Sequence, residues 1–466
     1  MNIAKNIHLV GIGGIGMTGI AGILLRHGCR ITGSDMKEAE PLAALRKKGA
    51  RVYIGHDPAN LLPDTELLVY SEAVKPSNPE VVAATEAGIA TMKYAQCLGE
   101  LMRRYTGIAI AGTHGKTTTT AMLVAILVRA ELDPTFVVGG IVPYLGGSSA
   151  VGEGKYFVAE ACEYRRSFLN LKPHIAVINN IEEDHLDCYS GIDEIVDAFG
   201  QFASQVDPEG LLVLNIDDLD TLKAGRWHEG PTVTFGFDPR ADWCASEINS
   251  SFGFTSFRLH HKGEPLGQFC LKMSGRHNVA NALAAIAIAQ HIGVGEEAIV
   301  QALAKFPGVH RRFEEIGEVD GVMIMDDYAH HPTAVRATLH AARQKYPDRK
   351  IWCVFQPHQH SRTRFLLEDF ARSFSEADYV IMPDIYFVRD SHWDTEQVCA
   401  QDLVSRIALQ GGDARYIADF DAILTHLREN LQENALLVTM GAGDVYRVAQ
   451  RIYMEGIKTP SEELVC

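Results

Sequence analysis

The segment Gly112-Thr113-His114-Gly115-Lys116-Thr117 constrains the fold of this chain more than any other. It follows a short apolar run, residues 108–111, that is typical of a buried strand, and it precedes apolar residues 121–128 that are expected to form a helix. A glycine-containing turn between a strand and a helix directs backbone N–H groups at a polyphosphate, and the helix adds the positive end of its dipole. The segment therefore predicts a phosphate-binding loop inside an α/β domain.

Two side chains of this loop carry the expected chemistry. Lys116 would place a positive charge at the β- and γ-phosphates, and the Thr117 hydroxyl could bind Mg²⁺. The general P-loop pattern has a glycine five residues before Gly115, where this chain has Ile110, so the loop is a shortened relative of that pattern. The alternative is a Gly-Thr turn that only caps a surface helix. The order of strand, turn, Lys-Thr and apolar helix favours the phosphate site.

Length and charge limit the other possibilities. The chain has 466 residues, which is too long for one hydrophobic core and suggests about three domains. Its formal net charge of −16 argues against broad electrostatic attraction to nucleic acid or to an anionic membrane. No apolar run approaches the roughly 18 residues that a membrane span needs, and no signal peptide is expected at the start. Anionic substrates would therefore be held locally, by loops, by a few Arg and Lys side chains and by metal ions.

Cysteine usage indicates the compartment. The nine cysteines are scattered and odd in number, and no Cys-x-x-Cys pair occurs. They lie in apolar or helical contexts such as Trp352-Cys353-Val354. This usage is typical of reduced thiols, so we expect a cytoplasmic protein.

Short apolar strands alternate with amphipathic helices along the chain, which predicts an α/β fold with mainly parallel sheets. Strand–loop–helix openings occur at residues 7–16, at the phosphate loop and from Gly321 onward. We expect three domains: a Rossmann-like domain over 1–105, a central P-loop-type ATPase domain over 106–312 and a second Rossmann-like domain over 313–466. Ligands of such sheets bind beyond the carboxyl ends of the strands.

A second glycine-rich turn opens the first domain. The run Gly11-Ile12-Gly13-Gly14-Ile15-Gly16 fits Gly-x-Gly-x-x-Gly, directly after a strand and at the start of a helix. Asp35 follows 19 residues after Gly16, at the end of the next strand, where a carboxylate accepts from a ribose or a base. By itself this pattern favours a nicotinamide-dependent oxidoreductase, and a purely structural turn is a further alternative. The phosphate loop further along the chain favours instead an enzyme that uses ATP on a substrate carrying a diphosphate.

Candidate metal ligands follow two strands of the middle domain. Glu160 comes at the end of an apolar strand, and His185 lies in the segment 179–187 after the next strand. Mg²⁺ takes oxygen ligands from one or two carboxylates plus phosphates and water, so Glu160 and Thr117 suit it. His185 is a less usual ligand and could hold a second ion. The acidic residues 182–184 are interpreted as a cluster that caps a helix N-terminus.

Polar side chains at three further places are candidates for substrate contacts. Asn278 and Asn281 lie three apart on one face of an alanine-rich helix, where they could read an adenine or hold a phosphate, although Asn278 could equally be a helix cap. Further on, His330-His331 and the run 358–362 follow two strands. Paired histidines suggest zinc, but no Cys or Glu-x-x-His spacing supports it. We interpret these side chains as substrate and phosphoryl clamps.

Six motifs give the chain a resemblance to one family. They are Gly-Thr-His-Gly-Lys-Thr-Thr-Thr, Gly-Arg-His-Asn-Val-x-Asn-Ala, Gly-Val-x-Arg-Arg-Phe, Asp-Tyr-Ala-His-His-Pro-Thr, Phe-Gln-Pro-His and Met-Gly-Ala-Gly-Asp. Over nearly its whole length the chain resembles the Mur ligases of peptidoglycan synthesis, and most of all their branch that acts on UDP-N-acetylmuramate and L-alanine. The resemblance implies domains for the UDP-sugar, for ATP and for the amino acid, in that order.

The resemblance also implies a reaction. ATP, UDP-N-acetylmuramate and L-alanine would give ADP, phosphate and UDP-N-acetylmuramoyl-L-alanine, a step of cell-wall biogenesis on which cell shape and division depend. The lactyl carboxylate would first attack the γ-phosphate and become an acyl phosphate. The alanine amine would then displace phosphate through a tetrahedral intermediate. The implied partners are these two substrates, with no nucleic acid and no membrane, and the chain would be a monomer or a homodimer.

Site residues are carried over from the family's motifs. The UDP-sugar site would comprise Gly11, Gly13, Gly14, Ile15, Gly16, Asp35, His56 and Ser71. The ATP site would comprise Gly112, Thr113, His114, Gly115, Lys116, Thr117, Thr118, Asn278, Asn281 and Arg312. Thr117, Glu160 and His185 would hold Mg²⁺, as two ions for which Mn²⁺ could substitute. The amino-acid end would comprise Tyr328, His330, His358 and Arg362. The catalytic residues would be Lys116, His185, His330, His358 and Arg362.

The chain departs from the family's pattern at two positions. Cys162 stands where many relatives have Asp, and Gln359 stands where many have Arg. The missing arginine leaves open how the alanine carboxylate is held, and therefore whether alanine, glycine or serine is used. No lysine occurs between His185 and Asp207, so we expect no carbamylated lysine. The closest alternative is the recycling ligase that joins UDP-N-acetylmuramate to a tripeptide, because the pair Glu163-Tyr164 is similar to the sequence of that enzyme. Residues 167–169 and 356–362 favour the alanine enzyme.

Overall fold

The computed structural model describes residues 4–251 and 253–457, and within these residues the chain forms three sheets. The first contains five strands, all parallel, with helices between them. Its elements are β1 (Asn6–Val10), α1 (Ile15–Arg26), β2 (Arg30–Asp35), α2 (Glu40–Lys47), β3 (Arg51–Ile54), β4 (Leu67–Tyr70), α3 (Pro79–Glu86), β5 (Ala90–Lys93) and α4 (Tyr94–Met102). The strand order β3-β2-β1-β4-β5 reverses between β1 and β4, so a crevice opens at the carboxyl ends of these two strands.

The second sheet has ten strands in the described residues. Its elements begin with β6 (Thr106–Ala111), α5 (Lys116–Arg129), β7 (Thr135–Val142), β8 (Gly147–Ala150), β9 (Tyr156–Glu160), β10 (Ile175–Ile178), α6 (Ile192–Ala203) and β11 (Leu211–Asn215). They continue with α7 (Leu219–Gly225), β12 (Thr232–Gly236), β13 (Trp243–Ser251), β14 (Phe254–His261), β15 (Glu264–Leu271), α8 (Arg276–His291) and α9 (Glu296–Lys305). The order is β15-β14-β13-β12-β11-β10-β6-β9-β7-β8.

The third sheet has six strands in the described residues. They are β16 (Glu314–Val319), β17 (Val322–Asp327), β18 (Lys350–Phe355), β19 (Tyr379–Met382), β20 (Ala414–Tyr416) and β21 (Ala435–Met440). Their order in the sheet is β16-β17-β21-β18-β19-β20. Its helices are α10 (Pro332–Lys345), α11 (His360–Phe365), α12 (Leu367–Ala371), α13 (His392–Gln397), α14 (Ala400–Leu409), α15 (Phe420–Asn430) and α16 (Tyr446–Glu455).

These sheets confirm the predicted α/β fold with mainly parallel strands. Antiparallel pairs occur where the sheets end, at β7–β8, in the meander β13–β14–β15 and at β16–β17. The central strands are apolar throughout because helices cover both faces of the sheet. None of the helices in the described residues is long and apolar enough to cross a membrane.

Helix α5 is the element that fixes the phosphate loop to the core. Its residues from Thr117 to Leu127 are all buried, and it packs against α8, α9 and the central sheet. A helix that is buried on all sides needs apolar or small side chains all round, which explains the run of alanine, leucine and valine after the threonines. The first turn of α5 is therefore held rigidly at the sheet edge.

The first sheet is joined to the central sheet by close helix packing. Helix α1 packs on β7 and β8, where a Cβ at Gly19 would lie 3.2 Å from the Cβ of Ser149. Helix α4 packs on the 3-10 segment Tyr164–Asn170, where a Cβ at Gly99 would lie 2.2 Å from the carbonyl oxygen of Asn170. Glycine is needed at position 99 because the atom that it faces belongs to the backbone, which has little room to move.

We predict that Gly99→Ala lowers the free energy of unfolding by about 1–3 kcal/mol, because the added methyl group forces α4 away from Asn170. The measurement is urea unfolding followed by circular dichroism. Gly22→Ala is the matched control, since no described atom lies within 4 Å of a Cβ at this helical glycine. That variant should gain up to about 1 kcal/mol from helix propensity. An unchanged unfolding midpoint for Gly99→Ala would contradict the close packing.

Candidate functional site

The phosphate loop lies between β6 and α5, with two glycines in left-handed backbone conformations. Gly112 has φ +135° and Gly115 has φ +79°. A Cβ at Gly112 would lie 2.9 Å from the Cβ of Asn179, and a Cβ at Gly115 would lie 2.3 Å from Oδ1 of Asn281. The two asparagines therefore press against the loop, and only glycine fits at either position.

Backbone N–H groups at the start of α5 form the anion-binding part of the loop. The first helical bond runs from the N–H of Thr119 to the carbonyl of Gly115, so the N–H groups of residues 115–118 precede the helical ladder. The N–H groups of Thr113 and His114 instead donate to the carbonyl and side-chain oxygens of Asn180, at 3.0 and 2.7 Å. The predicted ATP contacts of Thr113 and His114 therefore rest on the resemblance alone, whereas those of residues 115–118 have N–H groups to make them.

Lys116 is held inside the loop by a carboxylate that the sequence analysis did not assign to the site. Its Nζ lies 3.0 and 2.9 Å from the two carboxylate oxygens of Glu163 and 3.2 Å from the carbonyl of Thr113. Burial alone would lower the pKa of Lys116, but the charge of Glu163 raises it above its ordinary value. The lysine is therefore positively charged, as its predicted role requires.

The predicted metal ligands lie beside the loop. Oγ1 of Thr117 is 3.2 Å from Oε2 of Glu160, and the N–H of Gly139 donates to the other carboxylate oxygen. Burial raises the pKa of Glu160, so a cation beside it would favour the charged form. Nε2 of His185 lies 3.7 Å from Glu163, and its Nδ1 is buried without a hydrogen-bond partner in the described part of the chain. The Thr117–Glu160 pair and the imidazole of His185 each offer lone pairs to a divalent cation, on either side of the Lys116–Glu163 ion pair.

The acidic residues 182–184 do not cap a helix, so that interpretation is wrong. The next helix, α6, begins at Ile192, and its N-cap residue is Gly191. Asp184 is buried and accepts from Nε and Nη2 of Arg362, at 3.0 and 2.8 Å. Although burial works in the other direction, the charge of Arg362 holds the pKa of the Asp184 carboxyl well below its ordinary value.

The residues predicted for the amino-acid end come together around this ion pair. Nδ1 of His330 lies 2.8 Å from the carbonyl oxygen of Tyr328, and the rings of His330 and His358 are 5.9 Å apart. Nη1 of Arg362 lies 3.2 Å from Nδ1 of His358. Burial, and then the charge of Arg362, lowers the pKa of His358 to about 3, so this imidazole is neutral near pH 7.

Gln359 occupies the place of the missing arginine. It is buried with φ +71°, and its Nε2 has no hydrogen-bond partner among the residues that the structure describes. Together with Asp184, His185 and Arg362 it lines a small cavity. The guanidinium of Arg389 lies 4.4 Å from the ring centre of Tyr164 and lowers the pKa of His358 further. The sequence analysis did not assign Arg389 to the site, because it lies in a polar loop outside all of the recognised motifs.

A larger cleft of about 460 Å³ lies beside the loop, between the central and third sheets. Arg312, Ser274 and Val309 are among its lining residues. A Cβ at Gly140 would lie 3.0 Å from Val309 and 3.1 Å from Thr117, so only Gly140 separates this part of the cleft wall from the start of α5. The guanidinium of Arg312 lies 4.9 Å from the ring centre of Tyr328. Its position suits a nucleotide whose phosphates lie at the loop.

Asn278 and Asn281 are buried on α8, and both use their side chains inside the protein. Asn278 donates to the carbonyl of Ser274 at 2.7 Å and accepts from Asn281 at 3.3 Å. Oδ1 of Asn281 accepts from the hydroxyl of Thr119 at 3.2 Å. Asn278 is not the helix cap that was its alternative, because the N-cap of α8 is Gly275 and no side chain caps this helix. Asn281 braces the phosphate loop through Thr119. Direct ATP contacts by either one stay predictions.

The first glycine-rich turn lies in the crevice between β1 and β4. A Cβ at Gly11 would lie 2.9 Å from Oγ of Ser71, so these two predicted residues adjoin. The N–H of Gly13 donates to Oδ2 of Asp35 at 2.9 Å. This bond occupies an N–H group that such a turn offers to the diphosphate of a dinucleotide and of a UDP-sugar alike, so either ligand would compete with Asp35 for it. Gly14 precedes α1, Ile15 is exposed as its first residue, and Gly16 leaves room for the ring of Tyr94.

A buried polar network supports this crevice from below. Nδ1 of His56 lies 2.9 Å from Oγ of Ser34, and that hydroxyl donates to Glu80. Burial alone would raise the pKa of Glu80, but His8, Ser34 and Asn60 lower it to about 2. The sequence analysis did not assign Glu80 to this site, because acidic residues are common in the first turn of a helix, where Glu80 lies in α3. The network ties the predicted His56 to the sheet.

Comparison with known proteins identifies the family. Residues 6–106 match the Mur ligase family catalytic domain, 110–289 the Mur ligase middle domain and 311–443 the Mur ligase glutamate ligase domain. A UDP-N-acetylmuramate–L-alanine ligase from Alkaliphilus metalliredigens is 45% identical over 97% of both chains. The chain belongs to the Mur ligase family. The resemblance that the motifs indicated is confirmed.

Solved structures of Mur ligases agree with this membership. A UDP-N-acetylmuramate–alanine ligase from Thermotoga maritima superposes with a TM-score of 0.81 at 28% identity, covering 97% of this chain and 98% of that one. A murein peptide ligase from Psychrobacter arcticus gives 0.72 at 27% identity, with the same coverage. Both members of the family therefore share the three-sheet architecture over nearly the full length.

We predict that Asp184→Asn destabilises this Mur ligase by about 3–5 kcal/mol, because it leaves the buried Arg362 without its charge partner. Thermal unfolding at pH 7 is the measurement. Glu153→Gln is the control, since its pair with Arg26 is exposed on both sides and should leave the melting temperature nearly unchanged. Equal melting temperatures for the two variants would show that the buried pair does not hold the domains together.

Proposed function

We propose that this chain is an ATP-dependent ligase that joins L-alanine to the lactyl carboxylate of UDP-N-acetylmuramate in peptidoglycan synthesis. The observation that carries the proposal is the Asp184–Arg362 ion pair, which brings the third-sheet residues His330 and His358 to the edge where the phosphate loop lies. One site thereby combines a phosphate loop, metal ligands and cationic side chains. Full-length similarity to relatives that carry this name supports the same reaction.

The proposed division of labour follows the three sheets. Residues 1–105 bind the UDP-sugar in the β1–β4 crevice, 106–312 bind ATP and 313–466 bind the amino acid. Residues 458–466 of the last range lie outside the described residues. The family matches 6–106 and 110–289 support the first boundary, and the match that begins at residue 311 supports the second.

The chemistry follows from the charges in the site. The lactyl carboxylate attacks the γ-phosphate and releases ADP, while Lys116 and the N–H groups of residues 115–118 stabilise the phosphoryl oxygens. Thr117, Glu160 and His185 would hold Mg²⁺, which neutralises charge on the phosphates when it is bound. The amine of alanine then attacks the acyl carbon and expels phosphate. Arg362 and the neutral imidazoles of His330 and His358 face the amino-acid end of the site.

Lys116 must exchange partners for this to happen. Its ammonium is paired with Glu163, so a polyphosphate at the loop competes with that carboxylate for the same charge. At the amino-acid end, Nε2 of Gln359 has no hydrogen-bond partner among the described residues, and the guanidinium of Arg389 lies nearby beside Tyr164. These two groups are candidates to hold the alanine carboxylate in place of the missing arginine. We propose that both contact the amino acid.

The direct test is ADP release with UDP-N-acetylmuramate as acceptor and L-alanine, glycine, L-serine or the tripeptide as amine. We expect turnover with L-alanine at least about tenfold faster than with any other amine. Faster turnover with the tripeptide would assign the chain to the recycling reaction, which Glu163 and the murein peptide ligase similarity leave as the second candidate. No turnover with any amine would contradict the proposal.

We predict that Lys116→Ala lowers kcat by on the order of 10³-fold or more, because phosphoryl transfer depends on positioning and charge stabilisation. Calorimetry should show nearly unchanged affinity for UDP-N-acetylmuramate, since that site lies on a different sheet. The control is Lys172→Ala, an exposed lysine of the central domain, which should keep wild-type turnover. Equal losses of UDP-sugar affinity and turnover would contradict the proposed separation of the two nucleotide sites.

A further inference from the structure

Three side chains from distant parts of the chain, His114 of the phosphate loop, Glu182 and His331, lie close together. Nε2 of His114 lies 3.2 Å from Oε2 of Glu182, and Nδ1 of His331 lies 3.6 Å from the same oxygen. The three donor atoms all lie within 4.8 Å of one another. With bonds of 2.0–2.2 Å, the ligand atoms of a tetrahedral zinc ion lie about 3.3–3.5 Å apart. The two measured distances bracket this separation.

The hydrogen bonds of His331 fix which of its nitrogens carries a lone pair. Nε2 lies 3.0 Å from the carbonyl oxygen of Glu183, which can only accept, so Nε2 carries the hydrogen. Nδ1 is then unprotonated and faces the carboxylate of Glu182. Its other neighbour is the N–H of Thr333, at a long 3.4 Å. Metal-binding histidines usually donate their second ring N–H to a carbonyl or carboxylate, as His331 does here.

The carboxylate of Glu182 is oriented by its own partner. The hydroxyl of Thr333 donates to Oε2 at 2.6 Å, which fixes the oxygen that faces both imidazoles. His331 is 5% exposed, and its burial lowers its pKa to about 4, so it is neutral near pH 7. Nδ1 of His331 and Oε2 of Glu182 therefore face each other with their lone pairs, and neither atom carries a hydrogen. A cation at this point would relieve their repulsion.

We propose that His114, Glu182 and His331 bind one divalent transition-metal ion of the Zn²⁺ class, at a site separate from the Mg²⁺ ligands. Two imidazoles and one carboxylate favour a borderline ion such as Zn²⁺ or Co²⁺ over Mg²⁺, which prefers oxygen ligands. The fourth position is open to water or to a small ligand. Since His114 belongs to the phosphate loop and His331 is the N-cap of α10, the ion ties the central sheet to the third sheet.

The expectation that the paired histidines do not bind zinc was drawn from the absence of a Cys or Glu-x-x-His spacing near them in the sequence. The structure separates that pair, because His330 faces His358 while His331 faces His114. The missing ligands come from segments about 150 and 220 residues earlier in the chain. A rule based on the spacing of neighbouring residues cannot detect three ligands that lie this far apart in the sequence.

The test is a titration of the metal-free protein with CoCl₂ in the presence of excess Mg²⁺ and without nucleotide. Binding is monitored by calorimetry and by the visible absorption of Co²⁺. The variants are His331→Asn, which keeps an N-cap residue, and Glu182→Gln, which keeps an oxygen for Thr333. The matched control is His174→Asn, which removes a histidine paired with Asp207 on the surface. Any Co²⁺ that binds at the Mg²⁺ ligands adds the same signal for the wild type, the variants and the control. The difference in Co²⁺ binding between the wild type and a variant therefore measures the proposed site.

We expect the wild type and the control to bind one more Co²⁺ than the two variants, with the absorption of a four-coordinate ion. The loss of affinity should exceed the roughly 10–100-fold that removal of an outer-shell partner costs. Unchanged stoichiometry and affinity in a folded variant would overturn the proposal. Circular dichroism without metal decides which variants are folded, and His114→Gln supplies a third variant should one of the two fail to fold.

Discussion

The buried ion pair between Asp184 and Arg362 is the interaction on which the rest of the site depends. It joins the central sheet to the third sheet, and both residues are only 7% exposed. Burying two charges costs desolvation energy, which the two hydrogen bonds from one guanidinium to one carboxylate oxygen offset. The pair also fixes the neighbours of its two residues, namely His185 on one side and His358 with Gln359 on the other.

A second balance of charge operates at the phosphate loop. Glu163 neutralises Lys116, and Glu160 lies buried beside Thr117, so the site holds carboxylates before any phosphate arrives. The chain as a whole is acidic, with a net charge of −16. Anionic substrates therefore depend on local cations, on the N–H groups at the start of α5 and on metal ions, because the long-range field repels them.

The motifs predicted the elements of the site better than its connections. Gly112, Gly115, Lys116, Thr117 and Glu160 lie together as expected, since they follow adjacent parallel strands and such strands end at one sheet edge. The capping role of residues 182–184 was wrong, because an acidic run looks the same whether it precedes a helix or reaches another domain. Glu163, Glu80 and Arg389 went unassigned for a related reason: each acts through a partner that is distant in sequence.

The sequence by itself determined the α/β class, the strand–loop–helix order at both glycine-rich turns and the family, because periodicity and contiguous motifs are local properties of a chain. Tertiary structure alone decided which side chains face one another across the sheets. Asp184 and Arg362 are 178 residues apart, and His114, Glu182 and His331 come from three segments. Such contacts depend on how helices such as α5 and α10 pack, and packing is a property of the whole folded chain.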